Sequence, residues 1–444
     1  MNSTFSIIEY QAFSKEDLKE IFKEKAEGFY KELEDFAKNN ENLLGFKNKN
    51  SLKAKNYVGI IQTKSGVLEI LPKCTNLDSY KKEDSSSNHD KEKLRRCYEL
   101  DNISKNNDFY EKDFKFNPKN LLINMLKTLK NSPFKKSQIS SLQSSKIPLF
   151  EVFITMFLDE FDSVYKKGLM RSYLSCEENR AFLKGKLLFN EHIKRNLIHK
   201  ERFFTSNDEF VLDIAPNRLI KSTLNFLKSK TSLNKFRLIK AMQMLDGVEF
   251  SKNYEKDFSY KISRHFDYYE NLLLWCKIFL KNESFMPYHG KNEAFALLFP
   301  MEKIFEDYVA YMLKKANPPT QDIKVQNNGK YLISKNDENC FMLKPDLYIE
   351  NKMILDTKWK IPNDSEDEKK QGIAQSDLYQ MFAYACKFKI YDIKLVYPLC
   401  EKTQDLQRKI AEKFFVFKAS EDLYFKKQGQ KDIKVQVCFA PLPF

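Results

Sequence analysis

Asp346, Asp356 and Lys358 fall within Lys344–Lys360, KPDLYIENKMILDTKWK, where two carboxylates and a lysine are spaced so that a chain reversal would bring them together. Between Lys352 and Lys358, large apolar and β-branched residues surround Asp356. The strand period of two then puts Asp356 and Lys358 on one face and Thr357 on the other. Upstream, Phe341-Met342-Leu343 reads as a strand, and Pro345 ends regular pairing so that Asp346 stands at a strand end. Ile349-Glu350-Asn351-Lys352 reads as the turn, since asparagine tolerates turn geometry. Two carboxylates converging at a strand end repel unless a divalent cation lies between them, and hard oxygen ligands favour Mg2+ or Mn2+. One pleat away, Lys358 can set a positive charge beside an attacked phosphate or help orient an attacking water. The chemistry implied is metal-dependent phosphodiester hydrolysis; a surface hairpin with solvated charges is the alternative that the same residues allow.

These residues need elements to hold them. Met301–Met312 has apolar residues at 301, 304, 305, 308, 309 and 312, the spacing of an amphipathic helix that leads into the hairpin. Downstream, Gln375–Ala385 predicts a second helix, capped by Ser376. On it Asp377, Gln380 and Tyr384 share a polar face by i, i+3 and i+4 spacing, while Leu378, Met381, Phe382 and Ala385 face a core. Such a stripe suits phosphate or base contact, and an ordinary amphipathic helix would carry it too. Lys394–Tyr397 reads as the next strand and Ile433–Phe439 as a last one, with Asn363–Glu368 a polar loop before the second helix.

Pro345-Asp346 followed by Asp356-Thr357-Lys358 resembles the PD-(D/E)xK nuclease superfamily, and Gln380 with Tyr384 resembles the Q-x-x-x-Y element of its RecB-like branch. In that superfamily an acid on the first helix often joins the metal site. The resemblance points to Glu306, and spacing leaves Glu302, one turn earlier, open.

The chain has 444 residues and a formal net charge of +14, with 42% hydrophobic and 14% aromatic residues. That is enough for several folded domains and excludes wholesale disorder, and the positive charge suits a polyanionic partner. Eight cysteines without a C-x-x-C pair and five unclustered histidines argue against zinc or iron–sulfur chemistry and for reduced thiols. None of the Gly-Lys pairs at 185–186, 290–291 and 329–330 has the upstream glycine of a phosphate-binding loop, so no nucleotide is expected to bind that way. Met1-Asn2-Ser3-Thr4 opens no signal pattern and no apolar run reaches membrane-spanning length, so a soluble, cytoplasmic chain is expected.

The pattern divides the chain into 1–145, 146–290 and 291–444. The first part reads as a mixed α/β partner-binding module. It has one helix over Glu16–Asn39, strands at Tyr57–Ile61 and Val67–Pro72 around the turn Thr63–Gly66, a mobile polar insertion over 80–115, a helix at Leu121–Leu129 and a serine-rich linker over Ser137–Ser145. The middle reads as mainly helical, continuously from Leu149 to about Lys240 and again over Leu272–Leu280. Pro287–Gly290 breaks it, with His289 a loop residue. Arg171, Arg180, Lys184, Lys186 and Arg195 cluster there, a charge set able to meet DNA phosphates or an acidic surface. The last part reads as the catalytic domain.

Gly66-Val67-Leu68-Glu69-Ile70-Leu71-Pro72-Lys73 is similar to the N-terminal signature of the McrC family. Lys167–Tyr173, Glu177–Asn179 with Phe182–Lys186, and Asp213–Ile220 with Asn217 and Arg218 resemble that family in the same order. The resemblance implies an α/β, multi-domain endonuclease subunit with a C-terminal restriction-endonuclease-like domain, a central mixed sheet flanked by helices. It also implies a hexameric AAA+ GTPase partner of the McrB type, whose hydrolysis the N-terminal half stimulates, and double-stranded DNA containing modified cytosine as substrate. Mg2+ would be held by Asp346, Asp356, Glu306 and the main-chain carbonyl of Thr357. Lys358 would stabilise developing charge, with Gln380, Tyr384 and Asp377 positioning the strand. A non-catalytic activator of the GTPase and a stand-alone nuclease are the other readings.

Overall fold

The computed structural model describes residues 3–74, 90–103, 105, 109–110, 114, 116–129, 132–136, 147–281, 294–326, 329–335, 337–362, 372–410, 414–418 and 432–444. The expectations placed on 80–89, Ser137–Ser145, Pro287–Gly290 with His289, and Asn363–Glu368 lie outside the described residues. The chain is mixed α/β and divides into two compact units, Phe150–Glu283 and the discontinuous pair Asn2–Leu149 with Ser284–Phe444. Among the described residues no helix is long and apolar enough to cross a membrane.

The discontinuous unit opens with β1 (Thr4–Ile8), β2 (Ala12–Ser14), α1 (Lys15–Phe22), α2 (Ala26–Asn39), β3 (Leu44–Asn48), β4 (Ser51–Ala54), β5 (Tyr57–Gln62) and β6 (Val67–Leu71). β5 and β6 form the expected hairpin, and β1 adds to β6 in parallel. Phe13, Leu18, Phe22, Phe29, Leu33 and Phe36 pack with Ile61, Leu68 and Ile70 into one core. The single helix expected over Glu16–Asn39 is two helices. The backbone turns to φ 48 at Lys23, and none of Lys23, Glu24 and Lys25 is buried, so no packing holds that turn in line.

The mobile insertion expected over 80–115 is corrected where it is described. After α3 (Lys91–Arg96), Tyr98, Leu100, Ile103, Phe109 and Tyr110 are all buried. The Tyr98 hydroxyl donates to the Pro441 carbonyl at 2.6 Å and the Tyr110 hydroxyl to Leu442 at 2.8 Å, so this segment is tied to the C-terminal strand. α4 (Pro118–Leu126) follows, capped by the Asn117 side chain.

The other unit carries α5 (Leu149–Lys167), β7 (Ser172–Arg180), β8 (Lys186–Leu187), α6 (Phe189–Asn196), β9 (Phe203–Val211), α7 (Ala215–Lys228), α8 (Lys235–Gln243), α9 (Tyr254–Phe258) and α10 (Glu270–Lys281). Helix does not run through as expected, because β7, β9 and β8 form an antiparallel sheet between α5 and α7. β7 is polar and largely exposed, so it lacks the apolar alternation that marks a half-buried strand, and its long ladder to β9 rests on backbone hydrogen bonds. Gly185 makes the return to β8 possible: at φ +80, a Cβ there would lie 2.4 Å from the Ser206 carbonyl oxygen. The basic residues expected to cluster in one helical and turn region are spread over strands (Arg180, Lys186), α6 (Arg195) and connecting segments (Arg171, Lys184). Arg180 pairs with Glu178 at 3.0 Å and Glu209 at 2.9 Å, Lys184 with Glu209 at 3.0 Å and Arg195 with Glu191 at 3.3 Å.

The chain then returns to the first sheet. β10 (Phe295–Pro300) pairs antiparallel with β5, and Gly59 permits the approach, since a Cβ there would meet the Leu297 carbonyl oxygen at 2.0 Å. α11 (Met301–Ala316) follows directly. Then come β11 (Ile323–Val325), the ribbon β12 (Lys330–Lys335) with β13 (Glu338–Leu343), β14 (Leu347–Ile349), β15 (Met353–Thr357), α12 (Gln375–Phe388), β16 (Asp392–Leu399), α13 (Gln404–Ile410), β17 (Phe414–Phe417) and β18 (Ile433–Pro441). These strands, apart from the ribbon, make a six-stranded sheet in the order β11-β14-β15-β16-β18-β17. Its centre, β15-β16-β18, is parallel, and β16 and β18 are buried almost throughout, as strands covered on both faces are.

Candidate active site

The hairpin expected to bring the carboxylates together is β14–β15. Asn351, at φ 55, sits in its turn as expected, and Leu347 pairs with Leu355, so that Asp346 and Asp356 are the next residues across. The expected strand Phe341–Leu343 belongs to β13, whose partner is β12 and not the hairpin.

Asp356 is 1% exposed, and its Oδ2 lies 2.5 Å from the Lys358 ammonium, so the strand period does put these two on one face. Apart from this ion pair, Oδ2 is a buried oxygen without a hydrogen-bond partner among the described residues. Burial first, then the Asp346 carboxylate, push the Asp356 carboxyl up to about 7 against the opposing pull of Lys358. Burial acts to lower Lys358, but Asp356, with Asp377 and Asp346 adding to it, holds the ammonium above its ordinary value. Asp346 Oδ2 accepts both the Thr357 N–H and the Thr357 hydroxyl at 2.7 Å, so Thr357, on the opposite side of the strand end, fixes that carboxylate.

Helix α11 brings in Glu306, 8% exposed, whose Oε1 accepts from Gln326 Nε2 at 2.9 Å and faces Lys303 Nζ at 3.0 Å. Its pKa is raised by burial and then by Asp346. Glu302 is exposed and its charge acts on Glu9, Tyr10 and Tyr57, so it faces away from the two aspartates.

Helix α12 begins after Ala374 with no side-chain cap, so Ser376 is a first-turn residue and not the expected N-cap. Met381 and Ala385 are buried as expected, while Leu378 and Phe382 are only half-buried and Phe382 packs on Phe417. Gln380 Oε1 accepts from Lys358 Nζ at 2.9 Å, Gln380 Nε2 donates to the Tyr384 hydroxyl at 2.8 Å, and that hydroxyl donates to the Lys344 carbonyl at 3.0 Å. Asp377 is engaged elsewhere. It accepts Lys360 Nζ at 2.8 and 2.9 Å and the Tyr397 hydroxyl at 3.3 Å. Lys360, Tyr397, Lys303 and Gln326 are the neighbours that sequence reasoning missed. Only Lys360 had a signal, since it continues the alternation of Asp356 and Lys358 by one more step.

Among the described residues no three His, Cys, Asp or Glu side chains converge closely enough to hold a metal ion. Each carboxylate has a partner within the protein: Lys358 sits on Asp356, Thr357 on Asp346, and Lys303 with Gln326 on Glu306. The donor set still fits a hard divalent cation. Asp346 and Asp356 are all-oxygen donors opposed across a strand pair, and the buried Asp356 Oδ2 has the Lys358 ammonium beside it to exchange for a cation.

The family model for the McrBC 5-methylcytosine restriction system component matches residues 52–398. Curated proteins give no match. Among solved structures, the chain is similar to one in a refined half-complex from a tetradecameric assembly of Thermococcus gammatolerans McrB AAA+ hexamers with bound McrC. The identity is 19%, over 99% of this chain and 94% of that one, with a TM-score of 0.64, a likeness of fold. A chain of the cryo-EM structure of the Thermococcus gammatolerans McrBC complex aligns at 21% identity over 70% of this chain and 87% of that one, with a TM-score of 0.45. With the family match spanning most of its length, the chain belongs to the McrBC 5-methylcytosine restriction system component family.

Proposed function

We propose that this chain is the DNA-cleaving subunit of a GTP-dependent modified-cytosine restriction system, a Mg2+-dependent endodeoxyribonuclease with a PD-(D/E)xK-type catalytic domain. Its partner is a McrB-like hexameric AAA+ GTPase whose hydrolysis it stimulates. One observation carries the reading: buried Asp356 paired with half-buried Lys358 at the end of β15, with Asp346 opposite on β14's side of the hairpin. The mixed sheet with α11 and α12 supports the fold assignment, and the structural neighbour, a McrB AAA+ assembly with bound McrC, supports the choice of partner.

Asp346, Asp356, Glu306 and the main-chain carbonyl of Thr357 would hold the cation. When bound, Mg2+ supplies Lewis-acid charge on the phosphodiester and lowers the pKa of an attacking water. The chain's own residues do the rest. Asp356 serves as an ionised ligand only once its proton is lost, so its raised pKa makes the site sensitive to pH near neutrality. Lys358, released from Asp356, brings its ammonium to the charge that develops on the phosphate oxygens. Gln380 accepts from Lys358 and so aims that ammonium, and Tyr384 fixes the Gln380 amide against the Lys344 carbonyl. Asp377 restrains Lys360 at the mouth of the same segment.

The test is cleavage of methylated and unmethylated DNA with Mg2+, with and without the GTPase and GTP, for the unaltered chain and Asp356→Ala. Cleavage only with partner and GTP, lost in Asp356→Ala and on chelation while GTPase stimulation persists, is the expected result. A non-catalytic activator is the second reading, favoured by the lack of three converging ligands among the described residues. Stimulation of GTP hydrolysis with no cleavage by the unaltered chain would establish it instead.

A further inference from the structure

Past Thr357 the chain leaves its ladder. The Lys358 N–H still donates to the Val396 carbonyl at 2.8 Å, but the Lys360 N–H turns back onto the Lys358 carbonyl at 2.8 Å. Trp359, between them, is held from outside the catalytic sheet. Its indole N–H donates to Glu9 Oε2 at 2.9 Å, and its carbonyl accepts Lys73 Nζ at 2.8 Å. Phe305, next to Glu306, packs its ring 5.3 Å from the indole.

Glu9 and Lys73 come from the N-terminal sheet, and its register explains why they arrive together. β1 and β6 run parallel with Ile8 opposite Leu71, so the residues just past both strand ends emerge side by side. The Lys73 N–H closes onto the same Glu9 Oε2 at 3.2 Å, and the Lys73 ammonium lies 4.8 Å over the Tyr10 ring. Glu9 and Trp359 are each 2% exposed. As a stabilising device the arrangement is poor, because Glu9 Oε1 is buried without a hydrogen-bond partner among the described residues. As an orienting device it is complete, since both ends of Trp359, side chain and carbonyl, are fixed.

We propose that Glu9 and Lys73 are positioning residues for Lys358. By clamping Trp359 they set the main chain from which the Lys358 side chain departs, and they do so from the Leu71-Pro72-Lys73 phrase of the N-terminal sheet. This rests on the phosphodiester-hydrolysis reading of the site. A lysine on a four-carbon stem reaches a phosphate oxygen only if its backbone is set, and small misplacements cost rate more than binding.

The test uses the full chain with its GTPase partner and GTP, comparing Lys73→Met, Lys73→Arg and Glu9→Gln with the unaltered protein. Lys73→Met, and less severely Glu9→Gln, should lower kcat by about tenfold or more while KM for DNA moves by less than about twofold, with Lys73→Arg recovering most of the rate. The second readout is Trp359 emission, taken as the difference from Trp359→Phe. It should shift to the red and become more open to acrylamide in Lys73→Met. An unchanged kcat in Lys73→Met overturns the proposal, as does a loss that Lys73→Arg does not recover and that follows a fall in melting temperature. If the unaltered chain does not cleave, a shifted Trp359 emission in Lys73→Met overturns the nuclease reading alone and retains the clamp; an unshifted emission overturns both.

Discussion

An ionised Asp356 is disfavoured in the folded chain, because burial and the nearby Asp346 raise its pKa from 3.8 to about 7. Between those values the folded state binds more protons than the unfolded one, so this residue's contribution to stability is full below the unfolded value and is lost as pH rises through about 7. Asp356→Asn should therefore gain stability over the metal-free parent as pH rises, by up to a few kcal/mol at the plateau above neutrality. Urea denaturation at acid and at alkaline pH measures that gap, and a gap that does not widen would contradict the assignment. The same substitution should abolish cleavage. Asp346, Asp356 and Lys358 were legible in sequence because strand alternation and one turn residue fix their relation. Asp377 and Thr357 were less so, since the partners that define them, Lys360, Tyr397 and Asp346, are set by packing between elements and not by spacing along one.

At the level of elements, what declared itself was what buries an apolar face. β5, β6, α11, α12, β16 and β18 all have such a face, and all stand close to where periodicity put them. β7 and β9 escaped because their ladder holds polar residues that a strand pattern does not mark. The stretch after α3 reads as part of a mobile polar insertion because its buried tyrosines are separated by charges. Tyr98→Phe tests that correction. It removes a buried hydroxyl from the Pro441 carbonyl, which retains the Tyr308 hydroxyl at 3.3 Å, so a loss of about 1 kcal/mol by urea denaturation is expected. Gly185→Ala tests the return to β8. With φ +80 and a carbonyl oxygen 2.4 Å from the new Cβ, a loss of about 1–3 kcal/mol is expected in the unit that holds β7–β9, read by hydrogen exchange on that sheet.

For the whole molecule, a net charge of +14 would make the proposed contact with DNA phosphates sensitive to ionic strength. Binding of the chain to DNA should weaken by at least about tenfold between about 50 and about 200 mM salt, measured by fluorescence anisotropy, and a flat response would place the DNA contacts on the partner. A different consequence follows from β10. The N-terminal sheet lacks this strand until roughly 230 further residues have been made, which at ribosomal speed is a wait of roughly 10–50 s. During that interval β5 has an unpaired edge and its Gly59 side has no cover, while Phe150–Glu283 is made in full before β10 arrives. Folding can thus run against the order of synthesis: the inserted unit can close before the sheet that begins the chain receives its last strand.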